Sequence, residues 1–388
     1  MEKVKLNRHF ISDIFFYQEG PGVRKWQFKD SGVKLINVGN INNGKIDLSS
    51  TKINISEEEA YGKYSHFLID EGDLLIACSG IVVENFHNKI AFIKKEHLPL
   101  CLNTSTMRFK ELPEKKGDLN FLKYFLQTND FKSQLRKLIT GSAQLNFGPS
   151  HIRKIEIPLP NLATQQRIAA ILDQADAIIQ NNRAIVQKYD ALTQSLFLDM
   201  FGDPVKNEKG WEKMEFSKVA KNENSKRVPV KQSDRDEREG EYPYYGATGI
   251  IDTIDDYKFD GEYLLIAEDG KNLLFRKKNN AFMAYGKFWV NNHAHILSCN
   301  NICNLKYLEF FLNSIDLSPF ISGIDQIKLN KASLDRIPVI VPPIQLQNLF
   351  AERVAVIEAQ KQQAQLELAK SEELFQSLLQ RAFNGELS

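Results

Sequence analysis

Apolar residues in this chain follow two periods. A β-branched run closed by proline occurs twice, as KIEIPLPNL at 154–162 and RIPVIVPPI at 336–344. Each predicts a short strand or extended arm, because proline cannot donate to a ladder. A helical period follows each at once. From about Gln165 to Met200, the residues Ile168, Ile171, Ala175, Ile178, Asn182, Ile185, Tyr189, Leu192 and Leu196 alternate spacings of three and four. They predict an a/d seam with one polar member, Asn182. Such a helix is ~54 Å long at ~1.5 Å per residue. The second stretch carries a thinner seam of Val354, Ile357, Ala364, Leu368, Phe375 and Leu378. Lys361 and Ser371 fall at its apolar slots, so looser packing is expected there.

The two stretches are copies. Gly141–Asp203 lies over Gly323–Gly385 without a gap: Gln144 meets Gln326, Ile155 meets Ile337, Pro160 meets Pro342, Gln165 meets Gln347 and Phe201 meets Phe383. One repeat of long period means two copies of a unit, not a solenoid. Neither helix can bury its stripe alone. They are expected to bury them against each other, antiparallel if the intervening chain is globular. The plainer alternative is an ordinary core helix of a larger domain.

Residues 1–158 read as a mixed α/β body. VKLINVGNIN (33–42), GDLLIACSGIVV (72–83), NKIAFIKK (88–95) and STMRFK (105–110) are candidate strands between Gly, Asn and Asp turns, and 118–139 has helical spacing. FGDPVKNEKGW (201–211) is a turn-rich hinge. Residues 212–340 then restate the body: GEYLLIAEDG (261–270) echoes GDLLIACSG, and NLKYLEFFLNS (304–314) echoes the first helix. The expected fold is α/β (mixed α+β), a pseudo-two-fold internal repeat. It has two similar globular domains, 1–158 and 204–340, and two long helices within 159–203 and 341–388 that pair as an antiparallel coiled coil.

Composition changes this picture in two places. A formal net charge of +1 over 388 residues gives no global electrostatic case for nucleic acid, so any such surface must be local. Four cysteines (Cys78, Cys101, Cys299, Cys303) and an N-terminus without an apolar h-region lead us to expect reduced thiols in a cytoplasm. No apolar run approaches the ~20 residues that span a bilayer, so no membrane association is expected.

The proline-ended strand running into IPLPNLATQQRIAAILDQAD, the helix end SLFLDMFGDP before Trp211, the strings YPYYGATGIID (242–252) and FWVNNHAHIL (288–297), and the C-terminal IPVIVPPIQLQNLF and ELFQSLLQRAFNGEL together resemble the specificity subunit of type I restriction–modification systems. The resemblance covers nearly the whole chain. It implies that each body is a target recognition domain reading one half of a bipartite double-stranded DNA target. It implies that the helices set the spacing and dock two methyltransferase subunits, with restriction subunits joining through the complex. The residue patterns alone supply only the duplication and the spacer.

Candidate DNA contacts follow from residue chemistry. Arg24 and Lys25 stand beside Trp26 after the turn EGPG, and the second body offers Tyr244, Tyr245 and Thr248 near Gly246 and Gly249. Glycines let backbone approach phosphate, cations and hydroxyls bind phosphate or base edges, and aromatic faces pack on sugars. Such residues also make ordinary surface loops; the resemblance favours the DNA reading. The loops after the two matching strands, Ser79-Gly80 and Asp269-Gly270-Lys271-Asn272, occupy equivalent places. Asn291, Asn292 and His293 are further candidates, since Asn can read adenine bidentately. Arg276, Lys277 and Lys278 form a backbone-contact patch or a plain solvated turn, and the mixed-sign run 231–241 reads as a solvated loop. Gly141, Ser142 and Gln144, with Gly323 and Gln326, are DNA contacts or domain–helix joints. Gln165, Arg167 and Gln347 are expected on the partner-docking side.

Other chemistry finds little support. His293, His295, Cys299 and Cys303 could in principle supply zinc ligands, with both histidines on one strand face, but the cysteines fit a buried turn equally well. No phosphate-binding loop, nucleophile elbow, amino-methyltransferase string or nuclease carboxylate–lysine cluster is present. The chain is therefore expected to be non-catalytic and to need no cofactor, methylation and cleavage residing in partner chains. The rival reading is a tandem adaptor without DNA affinity.

Overall fold

The computed structural model describes residues 6–49, 51–139, 146–323 and 326–387, so Gly141, Ser142 and Gln144 lie outside the described residues. Two compact units divide the chain: Met1–Asn181 with Glu367–Ser388, and Asn182–Leu366. The first unit is built on a four-stranded antiparallel sheet in the order Phe15–Glu19, Thr106–Glu111, Leu74–Ala77, Ile90–Phe92. All four residues of Leu74–Ala77 are buried, as a central strand requires. The expected single helix over 118–139 is two, Leu119–Phe125 and Asn129–Leu138. Thr128 divides them: its hydroxyl donates to the Phe125 carbonyl and accepts from the Phe131 N–H, capping the second helix as it ends the first.

The second unit has a six-stranded sheet in the order Ala220–Asn222, Ala294–Cys299, Phe259–Ala267, Ala281–Val290, Tyr242–Gly246, Gly249–Ile254. Its first four strands repeat the order of the first unit; the last two are an added hairpin. Each unit also pairs its opening segment with its proline-ended strand, Arg8–Phe10 with Glu156–Pro158 and Glu212–Glu215 with Pro338–Val341. The duplication is thus one of topology as well as of sequence.

The long helices are Leu162–Phe201 and Ile344–Phe383, of 40 residues each. In the first unit Ile168, Leu172, Ala175 and Ile179 share a core with Phe375, Leu379 and Ala382. In the second, Phe197 and Phe201 lie 5.6 and 5.2 Å from the Phe350 ring, and Asp190 pairs with Lys361. In both units early residues of one helix meet late residues of the other, so the pairing is antiparallel. The seam of the second helix is the expected one, with Lys361 and Ser371 occupying seam slots. Lys361 reaches Asp190 and the Ser371 hydroxyl donates to the Leu368 carbonyl.

The seam of the first helix differs from expectation. Leu172, Ile179 and Thr193 are buried and Val186 half-buried, whereas Ile178, Ile185 and Leu192 are 52%, 42% and 50% exposed. Two apolar rows lie side by side on this helix, and both satisfy the three/four spacing. The repeat decides between them: the counterparts of Leu172 and Val186 are Val354 and Leu368, while those of Ile178 and Ile185 are Gln360 and Glu367.

Gln165 and Gln347 also depart from expectation. Both are fully buried, which removes them from any docking surface. Gln165 accepts from the Asp118 N–H at 2.9 Å and donates to the carbonyls of Lys116 and Pro160 at 3.0 and 2.8 Å. Gln347 does the same with Asn304 N–H (2.9 Å), Ile302 (3.5 Å) and Pro342 (2.7 Å). Asp118 and Asn304 are the N-caps of the helices Leu119–Phe125 and Leu305–Ser314. Each glutamine therefore bolts the start of a long helix to the helix end of its body. Arg167 is exposed.

Two pairs of substitutions test these assignments. Gln165→Leu should destabilise the chain by ~2–4 kcal/mol in urea unfolding, because three backbone groups lose the buried amide that partners them, while Arg167→Ala stays within ~0.5 kcal/mol. Ile179→Ala should cost ~2–4 kcal/mol and the neighbouring Ile178→Ala under ~0.5 kcal/mol; equal effects would refute the seam.

Candidate nucleic-acid interface

In the second unit the segment leaving the strand Phe259–Ala267 is gripped from two sides. The Glu268 N–H donates to the His293 carbonyl and the Leu329 N–H to the Glu268 carbonyl, both at 2.8 Å; the Gly270 N–H donates to the Ile327 carbonyl at 3.0 Å. The Asp269 carboxylate lies 2.8 Å from His293 Nδ1. The Asn291 N–H donates to the Tyr245 carbonyl at 3.0 Å, and its side-chain oxygen accepts from the His293 N–H at 2.8 Å. A Cβ on Gly246 would come 3.5 Å from Asn291 Nδ2, so the turn holding Ala247 and Thr248 starts beside this connection. The sheet thus gathers Thr248, Asp269, Lys271, Asn292 and His293 around one connection, with Lys271, Asn292 and His293 exposed.

Beneath lies a polar floor that the sequence did not reveal. One nitrogen of Arg227 donates to Glu268 at 2.7 Å and to the Ala294 carbonyl at 2.8 Å. His295 is fully buried; its Nε2 donates to the Leu329 carbonyl at 2.6 Å and its Nδ1 accepts from Asn224 at 2.7 Å. Those partners require the neutral Nε2–H tautomer. Burial, with Arg227 nearby, holds the imidazole below its ordinary pKa, opposed by the Leu329 hydrogen bond and Glu268.

Other expected residues serve the scaffold. Tyr244 is fully buried, with its hydroxyl accepting from the Val230 N–H and its ring 4.6 Å under the Arg235 guanidinium, so it is a core residue and not a DNA contact. Tyr245 is half-buried against Phe282 and Phe288. The Asn291 side chain is buried as a turn brace. Asn272 spans its own loop, bonding both the N–H and the carbonyl of Lys278 and the side chain of Asn280. Arg276 donates to the Ile315 carbonyl, leaving Lys277 and Lys278 as the open cations of that patch.

The run 231–241 is mostly exposed, as a solvated segment would be, but two of its arginines are tied down: Arg235 pairs with Asp252 at 2.8 Å, and Arg238 pairs with Asp255 at 2.7 Å and lies over the Trp289 ring. The first histidine of HAHIL sits in the turn before the strand Ala294–Cys299, exposed, while His295 is buried, so the two do not share a face. Among the described residues no group of three His, Cys, Asp or Glu could hold a metal ion.

The first unit repeats the grip. The Phe147 N–H donates to the Cys78 carbonyl at 2.9 Å, the counterpart of Leu329 on Glu268. The Asn146 side chain accepts from the Ser79 hydroxyl at 2.9 Å and the Gly80 N–H at 2.8 Å. Asn146 is the repeat mate of Lys328, which bridges to Asp269 in the second unit. In both units, then, the segment before the proline-ended strand clasps the strand-end loop, and Gly323 and Gln326 flank that clasp instead of joining the long helix. Arg24 and Lys25 are exposed on a short 3-10 turn, and Trp26 beside them is 77% exposed. The turn is anchored by Gln27, buried on Glu59 (2.6 Å) and the Tyr64 hydroxyl (3.0 Å).

The state of His295 gives a pH prediction. Its folded pKa is depressed, so the unfolded chain takes the proton first. Stability is full above the ordinary pKa of ~6.5 and falls as pH drops below it. Urea unfolding should weaken from pH 7 to pH 5, and imidazole nitrogen shifts should show His295 titrating below an ordinary imidazole, with the Nε2–H tautomer in its neutral form; titration at or above the ordinary value would contradict the floor.

Comparison with known proteins agrees with this arrangement. The model of the type I restriction modification DNA specificity domain matches residues 4–188 and again 208–368. The chain is 38% identical over 144 residues to a putative type I restriction enzyme specificity subunit of Haemophilus influenzae, covering 37% of this chain and 36% of that one. It is 28% identical to the MjaVIII specificity subunit of Methanocaldococcus jannaschii over 45% of this chain and 40% of that one. These two matches therefore span well under half of each relative. A longer match, 22% identical over 82% of this chain and 80% of the relative, is to the MjaIX specificity subunit of the same organism. The fold is similar to the S subunit of a type I restriction–modification system from M. genitalium, with a TM-score of 0.58 at 17% identity over 97% of this chain and 96% of that one. It is also similar to a chain in a structure of the type I system, at 0.56 and 14% over 99% and 100%. No helix among the described residues is long and apolar enough to cross a membrane. With the domain present twice, the chain belongs to the type I restriction–modification DNA specificity family, whose general role is DNA target recognition.

Proposed function

We propose that this chain reads a bipartite double-stranded DNA target and carries no chemistry of its own. Residues 1–158 and 204–340 act as two target recognition domains, each reading one half, and the helical regions 159–203 and 341–388 set the gap between the halves. The observation that carries this reading is the repeated strand-end loop: Cys78–Gly80 and Glu268–Lys271 follow equivalent strands and are clasped by equivalent segments. In the second domain Lys271 suits phosphate, while Asn292, Asp269 and Thr248 offer the acceptors and donors that read base edges. Arg24 and Lys25 play the phosphate part in the first. Two half-sites on one face of DNA lie about a helical turn apart, ~34 Å.

The repeated helix ends support docking of two methyltransferase subunits, with restriction subunits joining through them. Arg167, exposed near the start of the first helix, is retained as a docking residue; Gln165 and Gln347 are joints.

A methylation map of a methylation-free host expressing this chain with the methyltransferase encoded beside it tests the reading. Methylated adenines should be confined to one split motif with a fixed gap, and exchanging residues 1–158 should change one half only. Copurification without any methylation would favour an adaptor that does not read DNA.

A further inference from the structure

The loop that follows the second domain's reading segment ends in an unexplained feature. Phe275 is 67% exposed and Leu274 beside it 45% exposed, on a loop that also presents Lys271, Lys277 and Lys278 to solvent. The loop is held rigid beneath them. Leu273 is buried in the core, the Asn272 side chain bonds both backbone groups of Lys278, and the buried Asn280 side chain donates to the Leu273 carbonyl at 3.3 Å. A ring kept in water on a braced loop between cations fits a surface that is anionic on its flanks and apolar between them.

We propose that Phe275 is an apolar wedge that enters a base step of the DNA half read by the second domain, with Lys271, Lys277 and Lys278 on the flanking phosphates. This rests on the DNA-reading function above. Side chains of this kind unstack a step and kink the duplex toward the major groove, so that deformability of the step contributes to specificity. An anionic membrane surface shares the same chemistry. The loop, however, begins at Lys271, directly after the Asp269–His293 pair, and polar tips of that kind gain from base edges and not from lipid. In the first domain the chain after the equivalent strand carries Val82 and Glu84, the latter paired with Arg136 at 2.6 Å. The matching stretch buries its one phenylalanine, Phe86, so this loop's wedge belongs to the second domain's half, where the distortion is expected.

The test uses the purified full-length chain and duplexes it enriches from a randomised pool, with 2-aminopurine walked through both halves. Wild type should raise the fluorescence at one step of the second domain's half. Phe275→Ala should abolish that rise and weaken binding roughly 5- to 50-fold, the scale of losing one aromatic–base contact; Phe275→Trp and Phe275→Leu should retain the rise. Binding without a rise at any step overturns the wedge and leaves the DNA reading standing, as does unchanged binding by Phe275→Ala. If Phe275→Ala instead releases the chain from phosphatidylserine vesicles and leaves DNA binding intact, the loop serves a membrane. Enrichment of no duplex overturns both the wedge and the reading beneath it.

Discussion

A buried glutamine at the start of each long helix is the contact on which the rest depends. The first turn of a helix leaves backbone N–H groups without partners, and the proline-ended strand before it leaves a carbonyl. Gln165 and Gln347 each join that proline carbonyl to the N-cap of a body helix, so that strand, long helix and body meet at a single side chain. A primary amide suits the task because it donates twice and accepts on one planar group. Aromatic packing then extends the joint: Phe121 lies 4.8 Å from Phe383 in the first unit, and Phe201 4.8 Å from Tyr307 in the second.

Much of this frame was legible because the sequence is written twice. The helices, the proline-ended strands and the matched strand-end loops follow from period and repeat. The errors arose where one copy was read without the other. On the first helix, Ile171, Ile178, Ile185 and Leu192 form a better apolar row than Leu172, Ile179, Val186 and Thr193, and periodicity alone chooses the wrong one. The second copy has Arg353, Gln360 and Glu367 at the first row's places, which was enough to choose correctly. Residue type misled in another way for Gln165, Gln347 and Tyr244. A polar side chain suggests a surface, yet each of these is buried with its polar atoms satisfied, a fact that depends on long-range backbone partners invisible in local sequence. Thr128 broke a helix that periodicity ran through, because a capping hydroxyl competes with the helical bond it replaces.

The two bodies share strands but differ where they would meet DNA. In the first, the Asn146 side chain accepts from the strand-end loop; in the second, Lys328 bridges to Asp269 through the backbone, and the Asp269 carboxylate faces His293. Under the second loop, Arg227, Glu268, Asn224 and His295 form a closed set of bonds in which the neutral imidazole has no spare lone pair or proton. Rigid support of this kind lets the exposed tips vary in chemistry without losing position. A chain with a net charge of +1 offers a polyanion local cations in place of a global field, and these loops hold such cations on braced positions.

The polar residues in the helical seam are best understood as a guard on register. Lys361 sits at a seam slot and pairs with Asp190, an ion pair open enough to water to contribute ~0–1 kcal/mol. Its stabilising effect is small, but its effect on alternatives is not. In an antiparallel pair, a slip of one heptad would carry Lys361 from Asp190 to the level of either Arg183 or Phe197. The first sets cation against cation; the second sets an ammonium against a ring buried among Phe201, Tyr307 and Phe350. The second costs more than the native pair contributes, because the charge would be buried without a partner; the first, at the exposed Arg183, exchanges an attraction for a repulsion of similar size. A hydrophobic residue at this slot would pack as well or better in the native register, but it would tolerate the slipped ones too, and the offset between the helices would no longer be single-valued.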